Sequence, residues 1–151
     1  MEKIRIEILE LPTEQDLEQI NALIPQIAKK PRLLSMEELW KIVDQKQNCK
    51  VVVARAKVGQ KYPIVGMAAV TLLRIPTGPV AMVEDVVVDE DWRGKKIGKM
   101  LNQMLIEIAK NTNVKHISLY TNKRRIEANA MYAKLGYLKL EEINFYRINF
   151  E

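Results

Sequence analysis

Three apolar segments follow one another between Cys49 and Val88 with no helical stretch between them, and a single long amphipathic segment comes next. Cys49–Ala56 is rich in valine, Ile64–Ile75 is almost continuously apolar, and Val80–Val88 is apolar on both faces except at Glu84 and Asp85. The loop at 58–63 and the P-T-G-P turn at Pro76–Pro79 are too short for anything but hairpins, so these neighbours are expected to pair antiparallel. From about Lys95 to Asn111, Ile97, Leu101, Met104, Leu105 and Ile108 recur on one helical face. Ile117–Tyr120 then reads as a short strand and Ile126–Leu135 as a helix ended by Gly136. A strand–helix–strand order returns the chain parallel, with a right-handed crossover. Hairpins followed by a crossover specify a mixed α/β sheet.

The flanks extend this pattern. Ile4–Leu11 alternates apolar and charged residues as a strand with one wet face, stopped by Pro12. Thr13 with Asp16 opens a helix carrying Leu17, Ile20, Leu23, Ile24 and Ile27, and Ser35 with Glu38 is a capping box for a second. Tyr137–Phe150 is expected to hold two more strands. The expectation is one domain over 1–151, with a sheet of about seven strands and about four helices.

Hydrophobic residues at 48% and charged ones at 28% are the balance of a folded globular chain. No apolar run approaches the ~18 residues of a membrane span, and the N-terminus lacks a signal-peptide core, so a cytoplasmic protein with no membrane partner is expected. Cys49 and His116 are each the sole residue of their type, which argues against a disulfide and against a metal site. The net charge of +5 favours anionic partners. Nucleic acid would call for basic residues interleaved with aromatics over a face. The densest cations instead crowd one loop, so no nucleic-acid partner is expected.

That loop is Arg93-Gly94-Lys95-Lys96-Ile97-Gly98, followed by Lys99 and entered from Val86-Val87-Val88 through Asp89-Glu90-Asp91-Trp92. A helix N-terminus offers unpaired N–H groups and partial positive charge. Cations belong there only when something anionic balances them. The preceding acids could do so, which would make this a solvated charged turn; Gly94 and Gly98, which let a phosphate approach the backbone, favour a bound phosphate or pyrophosphate. Neither GxxxxGK[ST] nor GxGxxG is present.

Glu84 and Asp85 interrupt a strand otherwise apolar on both faces, where an unpaired carboxylate is costly. A structural ion pair is one reading. A general base is the other, with Glu84 on the same face as Val86, toward an acceptor amine, and Asp85 on the opposite face. On the later helix, Ala128, Met131 and Leu135 form an apolar stripe, with Asn129 and Tyr132 three apart on a neighbouring face. Considered as an arbitrary helix, it would have Tyr132 in the core and Asn129 in solvent.

Two stretches resemble the GNAT superfamily of acetyltransferases. R-x-x-K-x-G at Arg93–Gly98 is similar to its Q/R-x-x-G-x-G/A acetyl-CoA loop, with Lys96 where the middle glycine usually stands. A-N-A-M-Y-A-K-L-G-Y at 128–137 is similar to its A-x-x-x-Y-x-x-x-G-F/Y motif. The likeness is strongest over Val83–Tyr137. E-D-V-V-V with R-G-K-K-I-G resembles glucosamine-phosphate N-acetyltransferases, whereas T-N-K-R-R-I-E-A is more like aminoalkylphosphonate acetyltransferases, so the acceptor stays open between a small amine and a peptide. The resemblance implies acetyl-CoA as co-substrate, held by backbone at Val86, Val87 and Val88, by Arg93, Gly94, Lys95, Lys96, Ile97, Gly98 and Lys99, and by Asn129 and Tyr132. It implies Tyr132 as the acid that protonates the departing thiolate, and a carboxylate near Glu84 as base, with Asp85 and Arg125 as further substrate contacts. A catalytically silent acyl-CoA-binding module is the alternative in a different class. A homodimer is an expectation resting on the resemblance alone.

Overall fold

The computed structural model describes residues 3–44 and 46–150, so both ends of the expected 1–151 domain lie outside the described residues. The chain divides into two compact units between Tyr120 and Thr121. The first contains β1 (Ile4–Ile8), α1 (Glu14–Leu23), α2 (Met36–Val43), β2 (Cys49–Ala56), β3 (Ile64–Ile75), β4 (Gly78–Val88), α3 (Ile97–Asn111) and β5 (Ile117–Ser118); the second contains α4 (Ile126–Lys134).

The sheet has the order β1-β2-β3-β4-β5. The first four strands pair antiparallel in succession, and β5 joins β4 parallel through Ala81↔Ile117 and Met82↔Ser118. This is the expected mixed α/β fold with a smaller sheet, five strands rather than about seven. The shortfall lies in 137–150, which forms no strand although its apolar residues are spaced for one. Leu138, Tyr146, Ile148 and Phe150 are exposed. Alternation creates only the potential for a strand; a ladder exists only where a neighbour supplies the hydrogen bonds.

Each face of the sheet is covered. Val52, Ala54, Val70, Ala81 and Val83 pack with Ile97, Leu101, Leu105 and Ala109 of α3. On the opposite face Val51, Val53, Met67 and Val87 pack with Ile20 and Leu23 of α1 and Leu39 and Val43 of α2. Gly66 lets α3 sit close: a Cβ there would lie 3.1 Å from the Val87 carbonyl oxygen and 3.3 Å from Leu101 Cδ1. Both expected capping boxes form, at Thr13/Asp16 and Ser35/Glu38.

Arg55 ties three elements together. Its Nε donates to Glu7 Oε1 on β1 at 2.5 Å and its Nη1 to Asp16 Oδ1 on α1 at 2.8 Å. Burial alone would raise the Asp16 carboxyl, but the Arg55 guanidinium and the Thr13 backbone N–H outweigh it and hold the group below its ordinary 3.8.

In the second unit, α4 closes with Gly136 N–H donating to Ala133 O and Tyr137 N–H to Tyr132 O, a Schellman motif. Tyr132 is buried and meets the Tyr137 ring edge-on at 5.7 Å.

Candidate active site

The expected carboxylates sit at a break in β4. The β3–β4 register passes from Met67↔Val87 to Ala69↔Glu84, so Ala68 faces two residues of β4, and Asp85 takes a left-handed φ of 53°. This is a β-bulge, and it reverses the side-chain alternation beyond it. Ala81 and Val83 share the α3 face with Val86 and Val88, whereas Val87 lies on the α1–α2 face. Glu84 therefore does not share a face with Val86, as unbroken alternation would require. It lines a cavity on the α1–α2 side together with Asp85, so the bulge brings together two acids that regular pleating would separate. Tyr120 Oη donates to Glu84 Oε2 at 3.5 Å, a partner that sequence periodicity has no means of indicating.

The cavity measures about 480 Å³ and is walled by Ile20, Ile24, Leu39, Ile42, Val51 and Met67, with Lys30 and Arg32 also contributing. Cys49 lies in the same wall; burial raises its thiol, with Asp85 adding to the effect against Thr71 and Lys50, so it stays protonated and is a poor nucleophile.

The ladder between β4 and β5 ends just before the bulge. Pairing with β5 stops at Met82↔Ser118, while β4 runs on to Val88. The chain then passes through a short turn at Glu90–Trp92 into the cationic loop. Gly94 has φ 76° and nothing within 4 Å of where a Cβ would stand, so the backbone is open to a ligand there. Lys96, in place of the motif's glycine, adopts φ 63° and ψ 14°, the left-handed conformation a glycine would supply. That conformation is strained for a lysine. No side chain caps α3, which starts at Ile97 rather than Lys95. Its first-turn N–H groups, including those of Ile97, Gly98 and Lys99, have no intrahelical partner. An uncapped helix end, an open glycine and exposed Lys95, Lys96 and Lys99 form a cradle that fits a pyrophosphate.

Arg93, at the start of the loop, is held by hydrogen bonds. Its Nε donates to Val88 O at 3.1 Å and its Nη2 to Gln26 Oε1 at 3.3 Å. Gln26 also accepts from Glu90 N–H and donates to Asp89 Oδ2. Arg93 thus fastens the loop to the segment after α1 through Gln26, a contact that the sequence context of Gln26 does not mark. Lys95 Nζ lies 5.4 Å from the Trp92 ring centroid.

In the second unit, Asn129 Nδ2 donates to the carbonyls of Asn122 and Arg125, bracing the turn ahead of α4. Arg125 is the exposed residue preceding that helix. Burial raises the Tyr132 phenol above 10, only partly offset by Arg125, so Tyr132 keeps its proton at neutral pH.

A family model described as Acetyltransferase (GNAT) family matches residues 15–137. Among solved structures, a transcriptional regulator from Bacillus halodurans is 28% identical, with 98% of this chain and 100% of that one covered at a TM-score of 0.78. An acetyltransferase from Trypanosoma brucei is 26% identical, covering 97% and 100% at 0.76. An aminoglycoside acetyltransferase from an uncultured soil metagenomic sample is 22% identical, covering 98% and 97% at 0.77, and shares the fold. A search of curated proteins returned no match.

Proposed function

The chain belongs to the acetyltransferase (GNAT) family, and from that membership we propose that it transfers the acetyl group of acetyl-CoA to a primary amine of a small molecule. The family match runs across the division between Tyr120 and Thr121, which supports reading the chain as one catalytic domain. The observation that carries the proposal is the pairing, within one strand and its continuation, of an acid-lined cavity with an uncapped, cation-rich helix start.

Gly94 to Lys99 hold the pyrophosphate through backbone N–H groups, with Lys95, Lys96 and Lys99 supplying positive charge. Acetyl-CoA, when bound, supplies an acetyl group activated as a thioester. The backbone of Val86–Val88, beyond the end of pairing with β5, provides an N–H to polarise its carbonyl. Glu84 accepts the amine proton, directly or through water, so that nitrogen can attack. Its place in the family's motif assigns Tyr132 to deliver a proton to the leaving thiolate, and burial keeps its phenol neutral. A cavity of about 480 Å³ has room for a small acceptor.

The test is thiol release from acetyl-CoA in the presence of a panel of amines. Amine-dependent release supports the proposal. The likeness to a transcriptional regulator from Bacillus halodurans supports a second reading, a silent acyl-CoA-binding module. That reading predicts binding of acetyl-CoA with no thiol release for any amine.

A further inference from the structure

The charged residues that line the cavity come from different elements: Glu84 and Asp85 from the β4 bulge, Lys30 and Arg32 from the connection between α1 and α2. Most of the remaining lining is apolar, Leu39 and Met67 included. Arg32 is tethered to Glu38 of α2 at 2.8 Å, but 75% of its side chain is exposed. An ion pair so exposed contributes little, and Arg32 gives it up at small cost.

We infer that the acceptor is a monoamine with an apolar body and an anionic group, carboxylate or phosphate, remote from the amine. This rests on the proposed acetyl transfer and specifies its substrate class. A protonated amine is drawn to Glu84 and Asp85, which follow the last β4–β5 pair at Met82. An apolar body displaces water from the aliphatic walls. Lys30 and Arg32 then receive the anion. A polyamine or aminoglycoside brings several cations; it would leave some of them against aliphatic wall and others against Lys30 and Arg32, and both arrangements are unfavourable.

The experiment compares kcat/KM for phenethylamine, its para-carboxylate, tyramine phosphate, spermidine and kanamycin, in the native chain and in a Lys30→Glu/Arg32→Glu variant. The native chain should prefer the two anionic amines over phenethylamine by about fivefold, the effect of one or two exposed charge pairs. Spermidine and kanamycin should rank last. In the variant the anionic amines should fall below phenethylamine. A native preference for spermidine or kanamycin overturns the inference, as does an order that the double reversal leaves unchanged. Calorimetry with acetyl-CoA separates the two levels. If acetyl-CoA binds and none of these amines is acetylated, the substrate class fails while the cofactor reading stands. If acetyl-CoA does not bind, the transferase reading fails. The class is then decided by saturation-transfer NMR of the same amines on the protein alone, with the same order expected and a polycation preference contradicting it.

Discussion

Lys96 holds a left-handed backbone conformation at the first turn of α3, where most side chains are strained. Lys96→Gly should therefore raise stability by up to about 1 kcal/mol, measurable as a higher urea midpoint, and should leave acetyl-CoA binding largely intact because the amides remain. A lower midpoint would mean that the lysine side chain makes a compensating contact. Tyr132 is decided by its proton. Burial raises its phenol, and that of Tyr137 to about 12, so both stay neutral through the physiological range. Tyr132→Phe should lower turnover by about 10²-fold or more while acetyl-CoA affinity stays within twofold, the ~10²–10⁴ range of a lost general acid. Unchanged turnover would remove the role. At the bulge, Glu84→Gln should cost more turnover than Asp85→Asn, measured at saturating acetyl-CoA. The reverse order would make Asp85 the base.

Elements whose signals are local are legible in the sequence. Thr13 with Asp16 and Ser35 with Glu38 mark their helices because a capping box is closed within four residues. The α3 stripe is equally plain, since Ile97, Leu101 and Leu105 all pack on the sheet. The bulge is not, because it arises from the register between two strands, and no residue on β4 alone announces it. Gln26 escapes notice for the same reason, its partners lying more than sixty residues away at Asp89, Glu90 and Arg93. If Gln26 positions the loop, Gln26→Ala should weaken acetyl-CoA binding several-fold and leave the unfolding midpoint unchanged. The Arg55 triad carries a different prediction, of stability. Asp16→Asn removes a charge from a buried pair and should cost about 2 kcal/mol or more in urea unfolding. Its depressed carboxyl stabilises the fold above the unfolded value near 3.8, and that stability is lost as pH falls through the lower folded value. The native chain should thus lose stability below about pH 4 more steeply than the variant. Parallel pH profiles would contradict this.

Considered whole, the chain comprises a sheet-based unit with both core clusters inside it and a shorter unit carrying the tyrosine motif. The second half of the family's pattern is recognisable from A-N-A-M-Y-A-K-L-G-Y, whereas the apolar alternation of 137–150 misleads, because pattern without a pairing partner does not make a strand. Among the described residues no helix is long and apolar enough to cross a membrane. The proposed function turns on one ligand, and calorimetric titration with acetyl-CoA, with acetate and ATP as controls, addresses it directly. Saturable single-site binding, preferring acetyl-CoA over both controls and weakening as salt is added, is the predicted result. No heat at millimolar acetyl-CoA, or a preference for ATP, would mean that the Arg93–Lys99 loop is not a CoA cradle, and the proposed acetyl transfer would fall with it.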